Sequence, residues 1–158
     1  MAARSDETQR PERRERRDAA ENRRQILAAA RQLFAEHGID QTSMNEIARA
    51  AGVGVGTLYR RYAHKGQLCE ALLMDDLQAF RARVERALAQ RQASEPALEL
   101  LGWLIDELLA MVERHVPLLA AIQDAAVGPR RTEIFEQPFY RWLHEQLAAL
   151  LGRALAAG

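Results

Sequence analysis

Beyond residue 22, apolar residues recur at intervals of three and four, the spacing of helices that bury one face. Ile26, Ala30, Leu33, Phe34 and His37 form the first stripe, and Gly38 supplies its C-terminal stop. Thr42 or Ser43 can cap a second helix, with Glu46 three residues after Ser43 as in a capping box. The core face of that helix is Met44, Ile47, Ala48 and Ala51. Gly52 breaks the chain, and a third short helix runs through Val55, Leu58, Tyr59 and Tyr62 to a boundary at Lys65 and Gly66. A long helix is predicted over 67–90, with Leu68, Leu72, Leu73, Leu77, Phe80, Val84 and Leu88 inward. At ~1.5 Å per residue it spans roughly 35 Å, enough to join two modules.

Pro96 stands in the first turn of the next helix, whose broad apolar face is Leu98, Leu101, Leu104, Ile105, Leu108, Leu109 and Val112. Pro117 is read as opening a shorter helix through Ile122 and Ala125, ended by Gly128 and Pro129. The last helix starts near Pro138 and carries Phe139, Trp142, Leu143, Leu147, Leu150 and Leu151. No stretch sustains period-two alternation, so no sheet is expected and the fold class is all-α.

Composition narrows the class. With 158 residues, 48% hydrophobic and 28% charged, the chain fits one domain or a small domain sharing a helical body with a second, and disorder throughout is excluded. It has no run of about 18 apolar residues for a membrane span. The charged front holds no apolar core of a secretory signal. Cys69 is the single cysteine, which excludes an internal disulfide and a cysteine-cluster zinc site. A soluble cytoplasmic protein is the expectation. Residues 1–66 carry 13 basic and 9 acidic side chains, and residues 67–158 carry 9 and 13, so zero net charge hides a basic front and an acidic body. That asymmetry is compatible with a front end that meets a polyanion. Residues 1–22 hold almost no large apolar side chain and are expected to form a mobile arm. Its Arg4, Arg10, Arg13, Arg14, Arg16 and Arg17 make it either a solvated tail or a minor-groove arm.

The most informative segment is QTSMNEIARAAGVGVGTLYRRYAHKGQLCEALL, residues 41–73. Two short helices joined by a glycine-containing turn, with a third packed before them, describe a helix-turn-helix. Ala48 and Ala51 are small enough for close helix crossing, Gly52 suits a left-handed turn, and Val53 and Leu58 can plug the core. The other face of the third helix is then left for a major groove.

The stretch IARAAGVGVGTLYRRYAHKGQL resembles the signature of TetR-type transcriptional regulators, and RRQILAAARQLFAEHGID resembles that family's first helix. The resemblance covers about a third of the chain, residues 23–73. It implies a helix-turn-helix DNA-binding domain over 23–66, joined by the long helix to a ligand-binding and dimerisation body over 67–158. The implied function is that of a ligand-responsive regulator, a homodimeric repressor released from a near-palindromic operator by a small molecule. The family's operator contacts fall on Asn45, Val55, Gly56, Thr57, Tyr59, Arg61 and Lys65. Ser43, at a helix N-terminus, can offer hydroxyl and backbone N–H to a phosphate. Thr57 and Tyr59 carry hydroxyls suited to phosphate oxygens, and Lys65 can clamp the DNA backbone. On that reading Lys65→Ala weakens DNA binding and leaves the fold intact. Gly54 and Gly56 depart from the resemblance, sitting where many relatives have serine, alanine or proline, each costing roughly 1 kcal/mol of helix propensity against alanine.

If the family architecture holds, Phe80, Trp103, Met111, His115, Gln123, Phe139 and Trp142 are candidates for an effector pocket, with ordinary core packing as the competing reading. The chain stops at ALLGRALAAG, short of the last helices the family uses for dimerisation. No cofactor and no metal is implied. The histidines at 37, 64, 115 and 144 make no His-Glu-x-x-His pattern and no glycine-rich phosphate loop follows a strand, so no catalytic residue is assigned. The rival reading is a helical protein-interaction module without specific DNA binding.

Overall fold

The computed structural model describes residues 9–125 and 138–157, with side chains from residue 17 onward. Among the described residues there are six α-helices and no strand: α1 Gln9–His37, α2 Met44–Ala50, α3 Val55–Arg61, α4 Lys65–Arg91, α5 Ala97–Asp124 and α6 Pro138–Ala157. Backbone packing divides the chain into two compact units, with the boundary between Leu68 and Cys69, inside α4.

In the first unit α2 packs on both α1 and α3. Ile26, Ala30, Ile47, Ala48 and Leu58 are fully buried, with Leu27, Met44 and Tyr62 beside them. Alanine at 48 and 30 removes the bulk that would hold the helices apart. The turns are built from backbone chemistry. Gly52 takes φ +67°, while Val53 N–H donates to Ala48 O (3.0 Å) and Gly52 N–H to Arg49 O (3.1 Å). This is a Schellman closure, which needs the left-handed conformation that glycine adopts without steric cost. Ser43 is the cap of α2: its Oγ accepts from Glu46 N–H, and Glu46 Oε2 accepts from Ser43 N–H at 2.8 Å. Thr42, the other capping candidate, is instead buried, and its hydroxyl points back to Gly38 O (2.8 Å). It closes the loop after α1.

The second unit gathers Leu77, Phe80, Val84 and Leu88 of α4, Leu100, Leu104 and Met111 of α5, and Phe139, Trp142, Leu143 and Leu150 of α6 into one core. Polar ties frame it. Arg83 pairs with Glu107, and Arg91 makes a two-pronged bond to Glu95 (2.8 and 2.6 Å) while lying over the Trp103 ring. Arg153 donates to Gln92 O at 2.9 Å.

Three expectations change. The stretch expected as a mobile arm is helical from Gln9, because α1 runs unbroken to His37. Its arginines, glutamates and alanines are good helix formers, and Pro11 falls in the first turn, where its missing N–H is not needed. Glu21 adds local support by accepting from Arg24 (2.7 Å) and Gln25 (3.2 Å). Pro117 does not open a helix but lies inside α5. It deletes one i→i−4 bond, and the carbonyl it leaves belongs to Glu113, an exposed residue, while Met111 and His115 remain buried and hold the register. Gly128 and Pro129 lie outside the described residues. Finally, α5 turns a different face inward. Leu100, Leu104, Met111 and His115 are buried, whereas Leu98, Ile105, Leu109 and Val112 of the expected core are exposed. The helix is apolar around more than half its circumference, so periodicity alone could not choose its face.

Candidate nucleic-acid interface and body cavity

Helix α3 anchors itself through Leu58 and the following Tyr62, which are buried, and so presents the opposite arc outward. That arc holds Val55 (44% exposed), Tyr59 (45% exposed), Gly56 and Arg60. A methyl group added at Gly56 would meet no atom within 4 Å, so nothing in the unit itself requires glycine there. Asn45 is exposed in the first turn of α2. Arg60, absent from the sequence-based set, donates to Thr57 Oγ1 at 3.3 Å. Its signal was one helical turn of spacing from Gly56.

Other members of the set are committed to the fold. Ser43 Oγ both accepts from Glu46 N–H and donates to Glu46 Oε2 (2.8 Å), so the carboxylate already occupies the anion position at this helix N-terminus. Those bonds from the Ser43 backbone and side chain hold the Glu46 carboxyl below its ordinary range. Arg61 Nη1 donates to Ala19 O of α1 at 2.8 Å, and with Asp18, Ala19, Asn22, Thr57 and Arg60 it lines a shallow groove between α1 and α3. Lys65 Nζ donates to Ile39 O (2.6 Å) and Asp40 O (3.2 Å). It ties the start of α4 to the loop after α1, a structural tie that its charge alone did not reveal. An ammonium has three donors, and two carbonyls leave one for a phosphate.

In the second unit, Phe80 meets Phe139 and Trp142 edge to face, with centroids 5.9 Å (Phe80–Phe139) and 6.5 Å (Phe80–Trp142) apart. Met111 joins the same core, and Trp103 packs at its edge. Gln123 is exposed. His115 is buried with both ring nitrogens on oxygen atoms, Nδ1 2.6 Å from Met111 O and Nε2 2.8 Å from Asp76 Oδ2. A cavity of about 270 Å³ is lined by Met74, Leu77, Gln78, Arg81, Pro138 and Phe139. Of the seven pocket candidates Phe139 alone is among these lining residues; the others are core, edge or surface. Met74, Gln78 and Arg81 went unnoticed because they sit at the margin of the α4 stripe. The Arg81 guanidinium lies 5.4 Å from the Trp142 ring centroid and bonds Glu85 at 2.8 Å.

Residues 26–72 match the profile of bacterial regulatory proteins, tetR family. Over 128 residues the chain is 32% identical to an HTH-type transcriptional regulator of Staphylococcus aureus (strain MRSA252), covering 81% of this chain and 66% of that protein. A regulator of the same description from strain USA300 is 31% identical over 130 residues, covering 82% and 67%. The chain thus spans about two thirds of the length of the curated relatives it matches. A TetR-family transcriptional regulator from Streptomyces coelicolor aligns with a TM-score of 0.58 at 29% identity, over 85% of this chain and 70% of that one. A gamma-butyrolactone receptor (ArpA like protein) aligns at 0.52 and 29%, over 89% and 68%. No described helix is long and apolar enough to cross a membrane. An all-helical chain with this helix-turn-helix, this profile and these relatives belongs to the TetR family of bacterial transcriptional regulators.

Proposed function

We propose that this chain is a ligand-responsive DNA-binding transcriptional regulator, a homodimeric repressor that leaves its operator when a small molecule occupies the helical body. The observation that carries the reading is the outward arc of α3, where Val55, Gly56, Tyr59 and Arg60 face solvent while Leu58 holds the helix down. Such a helix enters a major groove with its first turn against base edges. Val55 meets thymine methyls, Gly56 lets the backbone approach, and Asn45 reads a base edge. Thr57, Tyr59, Arg60 and the third donor of Lys65 reach phosphates, which set register and affinity rather than sequence. Arg61 acts indirectly, through its bond to α1. Residues 23–66 form the DNA-binding domain and residues 67–158 the effector body.

For the effector, the 270 Å³ cavity beside Phe139 has mostly apolar walls and one guanidinium, which suits a small, largely apolar molecule with an oxygen acceptor. That one structural neighbour is a receptor for a gamma-butyrolactone supports this class. The deciding experiment is a footprint of the purified chain on DNA upstream of its own gene. Two protected half-sites about one helical turn apart, weakened by Tyr59→Ala in protein of unchanged helicity, are expected. Absence of protection by folded protein would overturn the reading.

A further inference from the structure

Only residues 62–64 separate α3, which ends at Arg61, from α4, which begins at Lys65. The first turn of α4 therefore helps to fix where α3 stops. Gly66 and Leu68 bury that turn in the first unit, and Lys65 ties it to Ile39 O and Asp40 O. Its cap is a histidine rather than one of the oxygen-bearing side chains that favour this position. His64 Nδ1 accepts the Gln67 N–H at 3.3 Å, while Gln67 Oε1 accepts the Ala63 N–H at 2.8 Å. The two bonds close a reciprocal cap like the one Ser43 and Glu46 make on α2, with an imidazole in place of the hydroxyl.

A ring nitrogen accepts a hydrogen bond only while it is unprotonated, so this cap exists in the neutral Nε2–H tautomer alone. Protonation undoes it in two ways. The acceptor becomes a donor, which leaves the Gln67 N–H opposed by another N–H. A cation then stands at the positive end of a 27-residue helix whose first turn holds no acidic residue. The charged groups of the elements around it are Arg61 of α3, Lys65 and Glu70 of α4 and Asp40 of the loop after α1. Among the described residues, the ring pairs with no carboxylate. Histidine is the side chain whose charge ordinarily changes between about pH 5 and 8. The Ser43–Glu46 cap, by contrast, holds until a carboxyl group is protonated. Of the two caps, the one on α4 responds first as acid is added.

We propose that His64 is a proton-sensitive latch on the first turn of α4. Neutral, it holds the turn closed. Protonated in mild acid, it lets the turn open, Lys65 loses its fixed position, and the first unit binds DNA less tightly. That last step rests on the DNA-binding reading above, whereas the latch itself does not.

The test compares the full chain with His64→Asn, which keeps a cap acceptor that does not titrate, between about pH 8 and about pH 5.5. Hydrogen-exchange protection of the Gln67 amide is measured on the free chain, and affinity for duplex DNA from upstream of its own gene is measured at fixed salt. At the upper pH the two proteins are expected to agree within about twofold in both. At the lower pH the parent's Gln67 amide is expected to be about fivefold less protected than the variant's, and its affinity about fivefold weaker, the worth of one helix cap. Equal protection of parent and variant across the range would overturn the latch. Protection lost in acid with affinity equal to the variant's, or above it, would overturn the link to DNA, the second by making protonated His64 a phosphate contact. A folded chain that binds no duplex at any pH would sink the DNA-binding reading instead, and the exchange comparison would still decide the latch.

Discussion

Replacing Lys65 by methionine keeps the aliphatic stem and removes the ammonium, and two carbonyls then lose a charged donor: Ile39 O at 2.6 Å and Asp40 O at 3.2 Å. A hydrogen bond from a charged group contributes about 1.5–3 kcal/mol when shielded. Asp40 is exposed and Lys65 and Ile39 are half-buried, so water replaces part of both interactions. The net cost is about 1–2 kcal/mol after that discount. For a unit of this size each kcal/mol shifts the melting midpoint by about 4–8 °C. The assay is thermal and urea unfolding by circular dichroism, with hydrogen exchange of α1 and α2 amides to assign the loss to the first unit. DNA affinity is then measured at several salt concentrations. If the third donor reaches a phosphate, the slope of log affinity against log salt falls by about 0.9 per protomer, counting one lost contact. An unchanged midpoint together with a reduced slope would refute the structural role and return Lys65 to a pure backbone clamp.

Two further outcomes follow from bonds in each unit. The Glu46 carboxyl is held below its ordinary range by the Ser43 backbone and side chain, so its stabilising contribution is present above that range and lost as pH falls through the lowered value. Unfolding midpoints of the first unit should therefore decline with acid, and Glu46→Gln should flatten that part of the profile; a profile identical to the parent's would contradict the capping role. In the second unit, Asp76→Ala removes the acceptor on His115 Nε2, 2.8 Å away and buried, at an expected cost of about 1–3 kcal/mol. A urea midpoint unchanged from the parent's would show that the pair adds nothing.

Much of the first unit was legible in the chain itself because its determinants are local. Ser43 and Glu46 three residues apart specify a cap, Gly52 specifies a left-handed turn, and Ile47, Ala48 and Leu58 fall on the faces their spacing assigns. The length of α4 and its inward row from Leu68 to Leu88 follow from the same periodicity. What escaped depends on partners distant in sequence. Lys65 and Arg61 carry charges that suit DNA equally well, and only the approach of the Ile39 and Ala19 carbonyls, 26 and 42 residues away, commits them to the fold. Pro117 is a helix opener by local rules, yet packing of Met111 and His115 on one side carries α5 through it. The same holds for the face of α5. Its sequence offers two apolar stripes of equal quality, and the choice between them was made by α4 and α6, whose side chains close over Leu100 and Leu104 and leave Leu98, Ile105 and Leu109 to water. Periodicity encodes that a helix has an apolar side, whereas which side is inside is a property of what packs against it.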